Sequence, residues 1–418
     1  MADIRPFRAI RPVSEWIEEI AELPYDVYDR QEARALVEKR PNSFLAIDRP
    51  ETQFAPDCDM YASRVYEKAA KMLWSQVEEG RFVKDEASCY YIYQLTMEGR
   101  SQTGIVACSS IEDYENGIIK KHENTRAEKE QDRIRHVDTC NAQTGPIFLA
   151  YRYNEIIDGI LRRCMAQEQP VYDFIKEGDI RHKVWIIDDA SDIETIRQCF
   201  VQTPSIYIAD GHHRCASAVK VGEKRKLENR NDRGDEEYHY FLSVLFPDKE
   251  LMIMDYNRVV ADLNGYSVEE FLRKLEKAFS VEKAGHGETP ADFRKPRKKG
   301  EFGMCLPDGW YCLQIKPEYL SSDPVEGLDV SLLQNYLLHP ILGIKDPKTD
   351  KRIDFVGGIR GMDELEKCVQ DGFAVAFSMY PTSISELFMV ADAGLLMPPK
   401  STWFEPKLLS GIFIHDIR

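Results

Sequence analysis

The pattern of apolar and polar residues predicts alternating strands and helices along the first 260 residues. Apolar runs without alternation, at residues 147–151 and 206–209, are typical of strands buried on both faces. The spacing of polar and apolar positions predicts helices at residues 31–40 and 60–79. This order predicts an α/β domain with partly parallel strands, and a ligand site beyond the carboxyl ends of those strands.

The pattern changes after about residue 260 and predicts a smaller α+β region. Two strand-like runs at 301–306 and 310–315 flank Pro-Asp-Gly, which indicates a hairpin. The overall prediction is a mixed α/β chain. It has an α/β domain at 1–258, a smaller α+β domain at 259–396, and a C-terminal segment at 397–418 that packs back toward the site.

A strand, a tight turn and a helix are predicted around residue 210. The strand ends at Asp210 and Gly211, and the first helical turn carries His212, His213 and Arg214. A helix N-terminus attracts anions, glycine allows a phosphate to approach the backbone, and arginine can bind a phosphate through two nitrogens. Asp210 could cap the helix, act as a base or bind a metal. From the spacing alone, a capped helix with two ordinary histidines is an equal alternative.

A second polar stretch begins a helix near residue 125. Thr125 and Glu128 form a capping box, which predicts a helix to about Thr139. Glu128, Asp132 and His136 recur every four residues and share one face. A solvated face is the ordinary interpretation of such a pattern, and a polar ligand site is the alternative.

Both ends of the chain also carry candidate site residues. Tyr25 and Asp26 follow a proline at a predicted strand-to-helix turn, where they could face a ligand, or pack and cap the helix. Lys400, Ser401 and Thr402 lie in a proline- and aromatic-rich block. This block either packs across the domains or supplies anion-binding donors to the main site.

Composition excludes several classes of function. Fifty-five Lys and Arg residues against 71 Asp and Glu give a net charge of −16, which argues against a nucleic-acid partner. No apolar run reaches the ~18–20 residues that span a membrane. The ten cysteines contain no Cys-x-x-Cys pair, and the start of the chain has no signal-peptide pattern. These features predict a cytoplasmic protein with no membrane partner.

Several motifs resemble those of one family. Ala-Asp-Gly-His-His-Arg, Pro-Tyr-Asp-Val, Lys-His-Glu-x-Thr followed by Asp-Arg, and the block at 397–407 resemble the family called domain of unknown function 1015, whose members are often labelled ParB-like. Asp-Gly-His-His-Arg also resembles the signature of the ParB/sulfiredoxin-like superfamily, where a Gly-x-x-Arg turn holds nucleotide phosphates. The resemblance implies a ParB/sulfiredoxin-like nucleotide-binding core with an additional α+β C-terminal region.

The resemblance also implies roles for the candidate residues. His122 and Glu123 precede the helix cap on a loop, and their motif matches one of the family's recognisable blocks. The implied catalytic residues are Asp210, Glu123, His122 and Asp132, and the implied substrate-binding residues are Tyr25 and Asp26. The implied nucleotide-binding residues are Gly211, His212, His213, Arg214, Lys121, Arg133, Lys400, Ser401 and Thr402. ATP or ADP and Mg²⁺ are implied as cofactors.

Some superfamily members with Asp-Gly-His-His-Arg are nucleotide-dependent kinases of free serine. The leading hypothesis is therefore phosphoryl transfer from a nucleotide to a small hydroxylated metabolite, such as serine or a related hydroxy-amino acid. One alternative is a non-enzymatic ParB-like nucleotide-binding switch, although no basic helix-turn-helix segment is found. Another is a metal-dependent phosphohydrolase with His122, His212 and His213 as ligands, although adjacent histidines rarely bind one ion. The acceptor and the oligomeric state are left open.

Overall fold

The structure is a computed structural model that describes residues 1–125, 127–284 and 294–418. Its described residues form two compact units. Unit 1 contains Met1–Leu251 and Pro406–Arg418, and unit 2 contains Met252–Glu405. Unit 2 is therefore an insertion in the chain of unit 1. Residues 397–405 of the predicted C-terminal segment belong to unit 2, and residues 406–418 belong to unit 1.

Unit 1 combines strands and helices in a mixed α/β arrangement, as the sequence predicts. Its strands before the insertion are β1 Ile4–Arg5, β2 Ile10–Pro12, β3 Phe82–Lys84, β4 Tyr90–Met97, β5 Arg100–Ser110, β6 Ile119–Lys120, β7 Ala142–Gln143, β8 Ile147–Tyr151, β9 Tyr172–Lys176, β10 Ile180–Ile187, β11 Ile206–Asp210 and β12 Tyr240–Pro247. Its helices are α1 Ile17–Ile20, α2 Arg30–Lys39, α3 Leu45–Asp48, α4 Ser63–Glu78, α5 Ile111–Glu115, α6 Ala127–Cys140, α7 Glu155–Gln167, α8 Ala190–Val201 and α9 His212–Glu228.

The main sheet of unit 1 has the strand order β6-β11-β8-β12-β5-β4-β10-β9, and β1 also pairs with β5. The β6–β11 and β8–β12 pairs are parallel, and the other pairs of this sheet are antiparallel. Strands β8 and β12 are buried along their whole length, which explains their continuous apolar sequence. The parallel pairing of β6 with β11 brings the segments that follow these two strands to the same edge of the sheet.

Two local predictions near residue 230 are wrong. The polar and charged sequence of residues 221–237 predicts a mobile surface loop, but α9 continues to Glu228 because lysine, arginine and glutamate favour helices and tolerate an exposed face. The apolar runs at 238–247 and 251–255, with a turn between them, predict a hairpin. Instead β12 lies between β8 and β5, where its apolar residues are covered on both faces.

Unit 2 is built on an antiparallel sheet. Its strands are β13 Ile253–Met254, β14 Tyr256–Val260, β15 Phe279–Lys283, β16 Glu301–Leu306, β17 Gly309–Ile315, β18 Ile353–Gly357, β19 Val375–Met379 and β20 Trp403–Phe404. Its helices are α10 Val268–Leu275, α11 Asp329–Leu333, α12 Gly361–Gln370 and α13 Ile384–Asp392. The sheet order is β15-β17-β16-β19-β14-β18, and the predicted hairpin of β16 and β17 is confirmed. At the two ends of the insertion, β13 pairs with β20.

The chain then returns to unit 1 and forms β21 His415–Asp416, which pairs with β7. Backbone bridges also join Glu22 to Ser410 and Ile10 to Ile414. Gly411 has a φ of +82°, and a Cβ atom there would approach the ring of Phe44 to 2.6 Å. The return segment is therefore closely packed into unit 1. No helix in the described ranges is long and apolar enough to cross a membrane.

Candidate functional site

The turn between β11 and α9 has the left-handed geometry that requires glycine. Gly211 has a φ of +88°, and its N–H donates to Asp210 Oδ1 at 2.8 Å. A Cβ atom on Gly211 would lie 3.2 Å from the guanidinium of Arg214, which folds back over the turn. Nη1 of Arg214 donates to the carbonyl of Pro146 at 2.6 Å. The predicted strand, turn and helix are confirmed, and they place an arginine directly over a helix N-terminus.

Asp210 is held as an ionised carboxylate. Lys407 Nζ donates to Asp210 Oδ2 at 2.8 Å. Burial favours the neutral acid, but the charges of Lys407 and Arg214 outweigh it and hold the pKa of Asp210 well below its usual range. Asp210 is thus ionised at neutral pH at the end of β11.

Two buried histidines lie beside this turn. The rings of His122 and His212 are perpendicular, with centroids 4.5 Å apart. Nδ1 of His122 and Nε2 of His212 are buried and have no hydrogen-bond partner among the described residues. Burial lowers the pKa of His122 to about 4 and that of His212 well below its ordinary value, so both rings are neutral at pH 7. Buried polar atoms of this kind usually have a partner, so these two nitrogens are candidates to bind a ligand or a water molecule.

A buried ion pair lies on α6. Arg133 Nη2 and Nε donate to Asp132 Oδ2 at 2.8 and 2.9 Å, and the hydroxyl of Tyr66 donates to Asp132 Oδ1 at 2.8 Å. The guanidinium of Arg133 also lies 4.1 Å from the ring centroid of Tyr25. Burial opposes ionisation of Asp132, yet Arg133 and Tyr66 lower its pKa. The pair is ionised and almost closed to solvent.

Two pockets of unit 1 share Tyr25 and Arg133 as lining residues. The first contains two guanidinium groups and is lined by Tyr25, Asp48, Arg133, His136, Val137, Gln143, Thr144, Gly145, Ile147, Arg214, Ala218, Leu242 and Ser410. The second carries charges of both signs and is lined by Tyr25, Asp26, Tyr28, Arg49, Pro50, Glu51, Met60, Tyr61, Tyr66, Lys129, Asp132 and Arg133. Arg133 therefore contributes to the walls of both pockets.

The charges of the second pocket are partly paired within the protein. Arg49 Nε donates to Glu51 Oε1 at 2.6 Å, and Arg133 is paired with Asp132 as described above. Asp26 and Lys129 form no ion pair with other described residues, and both are exposed at the pocket. One carboxylate and one ammonium group therefore remain available to a ligand.

The structure brings some predicted site residues together. Asp210, Gly211, His212, Arg214 and His122 form one cluster at the sheet edge.

The other predicted residues of unit 1 are more dispersed. Arg133, Tyr25 and Asp26 line the adjoining pockets. Lys121 is exposed, and its Nζ lies 5.9 Å from the ring centroid of Tyr114. Glu123 is half-buried on the loop after β6, and so is His213 in the first turn of α9.

Three predicted residues belong to unit 2. Lys400 Nζ lies 5.4 Å from the ring centroid of Tyr256, and the hydroxyl of Ser401 donates to the carbonyl of Pro398 at 2.7 Å. Thr402 is half-buried beside them. Their role in nucleotide binding stays a prediction.

Sequence reasoning did not assign several residues that the structure places here. Lys407 lies in the same block at 397–407 as Lys400. Its position beside a proline and near aromatic residues was the sequence feature that could have marked it as a site residue. Ser410 lines the first pocket, and a Cβ atom on Gly145 would approach its Oγ to 3.3 Å. Lys129 lines the second pocket, and it lies on α6, whose sequence is mostly polar. Nothing in the local sequence distinguishes Lys129 from its charged neighbours.

Among the described residues, potential metal ligands converge elsewhere. Ligand atoms of Asp232, Glu236 and His239 all lie within 4.8 Å of one another, in the segment after α9. His239 Nε2 lies 2.7 Å from Asp232 Oδ1, so these groups already bond to one another. His122 and His212 are not part of any such group in the described chain.

Comparison with known proteins identifies a family. The model of the family described as "Protein of unknown function (DUF1015)" matches residues 4–331. Comparison with curated proteins gives no significant match.

Solved structures give distant likenesses. One is a free serine kinase mutant in complex with AMP, at 12% identity and a TM-score of 0.37, with 75% of this chain and 92% of that chain covered. A second is a conserved hypothetical protein from Pyrococcus furiosus, at 14% identity and a TM-score of 0.34, with 73% and 94% covered. A third is SbnI with a C-terminal truncation from Staphylococcus aureus, at 11% identity and a TM-score of 0.35, with 73% and 85% covered. At these TM-scores the likenesses carry no argument about function.

Proposed function

The chain belongs to the DUF1015 family of proteins of unknown function, and we propose that unit 1 transfers a phosphoryl group from a nucleotide to a small hydroxylated metabolite. The proposal includes the ParB/sulfiredoxin-like core that the motif resemblance implies.

The observation that carries the proposal is the N-terminus of α9. The helix has 17 residues, and it begins at a left-handed glycine beneath the guanidinium of Arg214. Nε of Arg214, Nδ1 of His122 and Nε2 of His212 are buried there without hydrogen-bond partners in the described parts of the chain. A helix N-terminus beneath an arginine guanidinium suits an anion such as a nucleotide phosphate.

The first pocket is the proposed nucleotide site. Arg214 and Arg133 supply positive charge, and Thr144 and Ser410 add hydroxyl groups. Guanidinium groups bind phosphate oxygens through paired hydrogen bonds and stabilise the charge that develops during transfer. ATP or ADP is the proposed donor.

Asp210 is the proposed base, and Glu123 is the other candidate. The acceptor's hydroxyl oxygen forms a bond to the terminal phosphorus while the bond from that phosphorus to the bridging oxygen breaks. The hydroxyl proton moves to Asp210, and the nucleotide leaves with one phosphate fewer. The carboxylate of Asp210 is ionised, so it has a lone pair that can accept this proton.

The second pocket is the proposed acceptor site. Its available charges are the carboxylate of Asp26 and the ammonium group of Lys129. A hydroxy-amino acid such as serine has an ammonium group and a carboxylate that complement these charges. Arg133 lines both pockets, and we propose that it contacts both the donor's phosphates and the acceptor.

Mg²⁺ is proposed only as the ion that the nucleotide's phosphates carry. Within the described residues, no group of three converging ligand atoms lies at this site. Mg²⁺ commonly binds through substrate phosphates and water with few protein ligands. No protein ligand is assigned to it here.

Phosphorus NMR of the pure protein with Mg²⁺, ATP or ADP, and a pool of hydroxy-amino acids tests the proposal. We expect a new phosphomonoester signal that disappears in Arg214→Ala and Asp210→Asn. Arg162→Ala is the matched control, because Arg162 pairs with Asp158 on an exposed helix face away from both pockets. Omitting acceptors one at a time identifies the substrate.

The outcomes separate the proposal from its alternatives. Bound but intact nucleotide that depends on Arg214 would replace the enzyme with a nucleotide-binding switch. Release of inorganic phosphate without a phosphomonoester would indicate a phosphohydrolase. Absence of nucleotide binding would reject both phosphoryl transfer and the switch.

A further inference from the structure

The return segment of unit 1 carries a lysine into the site. Lys407 is the second residue of this segment, and its Nζ lies 2.8 Å from Asp210 Oδ2. Farther along, Ser410 exchanges backbone hydrogen bonds with Glu22, and β21 pairs with β7. These contacts fix the part of the segment that follows Lys407. Lys407 is therefore held against Asp210 by a packed backbone.

We infer that Lys407 is a positioning residue that holds the Asp210 carboxylate in place at the N-terminus of α9, so that residues 406–418 form part of the site. The inference rests on the proposed function in one respect, namely that Asp210 acts as the base. The Lys407–Asp210 contact itself is observed in the structure. This role adds a positioning residue to the proposed mechanism, because it explains how Asp210, the proposed base, keeps its orientation.

The groups that face Asp210 come from three segments. Lys407 approaches from the return segment, Arg214 and His212 from α9, and His122 from the loop after β6. Both histidines are neutral at pH 7, so the two cations are Lys407 and Arg214. Arg214 donates to the carbonyl of Pro146, whereas Lys407 donates directly to Asp210. Lys407 is therefore the cation in direct contact with the carboxylate.

Removal of the ammonium group has two expected effects. Asp210 Oδ2 loses its donor, while Oδ1 keeps the N–H of Gly211. The carboxylate is then free to rotate about its remaining hydrogen bond, from the N–H of Gly211. The pKa of Asp210 rises, because the charge of Lys407 no longer offsets the effect of burial. Asp210 stays ionised at neutral pH after this rise, so the loss comes from its orientation: a misoriented carboxylate accepts the hydroxyl proton less efficiently. We expect kcat to fall more than the affinity for nucleotide.

Carbon-13 NMR of full-length protein labelled at aspartate carboxyl carbons measures this effect directly. Asp210→Asn identifies the Asp210 signal. In Lys407→Met we expect the pKa of Asp210 to rise by roughly 1–3 units, the range for loss of an adjacent opposite charge. Lys407→Arg keeps the positive charge and should restore most of the shift. Lys407→Gln provides a second neutral variant if the methionine variant does not fold.

Lys84→Met is the matched control. Lys84 Nζ binds Asp416 Oδ2 at 3.0 Å, so it contacts the same return segment without touching Asp210. This variant should leave the Asp210 titration unchanged. If a neutral Lys407 variant also leaves it unchanged while the protein stays folded, the inference is wrong. An equal shift in Lys84→Met would likewise overturn it, because the effect would then come from general loosening of the segment.

The NMR titration requires no turnover, so it separates this inference from the proposed function. If Asp210 titrates as expected but no phosphoryl transfer is found, the proposed function alone fails. Where transfer is observed, the acidic limb of the pH profile of kcat/KM should move in Lys407→Met by the same amount as the pKa of Asp210. A limb that does not follow Asp210 would reject the positioning role in catalysis.

Discussion

Substitution of Arg133 by methionine should destabilise unit 1 strongly. Methionine keeps most of the side-chain length but removes the charge that pairs with Asp132, and it removes the contact with the ring of Tyr25. Arg133 is 6% exposed and Asp132 is 8% exposed, so water cannot replace the lost partner without rearrangement. The variant therefore leaves a buried carboxylate that Tyr66 alone contacts closely.

The magnitude follows from this burial. Removing one partner of a buried ion pair typically costs about 3–5 kcal/mol, because the remaining charge is uncompensated. For a unit of this size, each kcal/mol lowers the unfolding midpoint by about 2–4 °C, so we expect a decrease of roughly 6–20 °C. The double variant Asp132→Asn with Arg133→Met removes both charges and should recover more than half of the loss.

Thermal unfolding of the full chain, followed by calorimetry, measures both variants. The reasoning is refuted if Arg133→Met lowers the midpoint by less than about 2 °C, which is below the range for a buried pair. It is also refuted if the double variant is as unstable as the single variant. Arg162→Ala again serves as the control, because its ion pair is exposed and should contribute little.

The pH dependence gives a second check. Arg133 helps to lower the pKa of folded Asp132, so the pair's stabilisation is present above the unfolded pKa of about 3.9 and is lost as pH falls through the folded value. In Arg133→Met the isolated carboxylate binds a proton more readily. The difference in stability between wild type and variant should therefore be largest near neutral pH and shrink on acidification.

Three further predictions concern single positions. Gly211→Ala should weaken ADP binding, measured by calorimetry, by about tenfold or more. The reason is that a φ of +88° disfavours alanine by roughly 1–2 kcal/mol, and that the new methyl group displaces Arg214. An unchanged affinity for ADP would contradict this prediction. Asp26→Asn should reduce the preference for an amino-acid acceptor over its amine-free hydroxy-acid analogue, as measured by the ratio of kcat/KM values, and an unaltered ratio would remove Asp26 from the acceptor pocket. Burial raises the pKa of Asp329 to about 7, so the folded state keeps a proton that the unfolded chain releases above about pH 4. Stability should fall between about pH 4 and 7 in wild type and change less in Asp329→Asn, in unfolding measurements across that range; parallel curves would exclude this role.

The local features of the site were predictable from the sequence where short-range rules apply. The turn at Gly211 followed from an apolar run, a glycine and a helix-compatible segment, and the structure confirms it. The helix after Thr125 also followed from its capping pattern, and it runs from Ala127 to Cys140. In both cases, residues close in sequence determine the element.

Long-range contacts were harder to predict. The pairing of Asp210 with Lys407 joins residues almost two hundred positions apart, and no local pattern specifies it. The two pockets depend on α6, α9 and the return segment packing around Tyr25. The extension of α9 was missed because a charged segment can be either a loop or a solvated helix, and burial of Val221 on one side favours the helix.

The β13–β20 pair has a consequence for how the chain tolerates its insertion. Ile253 and Phe404 are directly paired, so the two ends of unit 2 are only one strand spacing apart. Folding of unit 2 therefore already brings the two ends of this long insertion together. The loop-closure entropy that is lost when residues 406–418 pack into unit 1 is then about that of closing a short turn. By the same geometry, a two-residue hairpin turn could replace everything between these strands. Unit 2 is in this sense a removable module, whereas the thirteen residues that follow it are not.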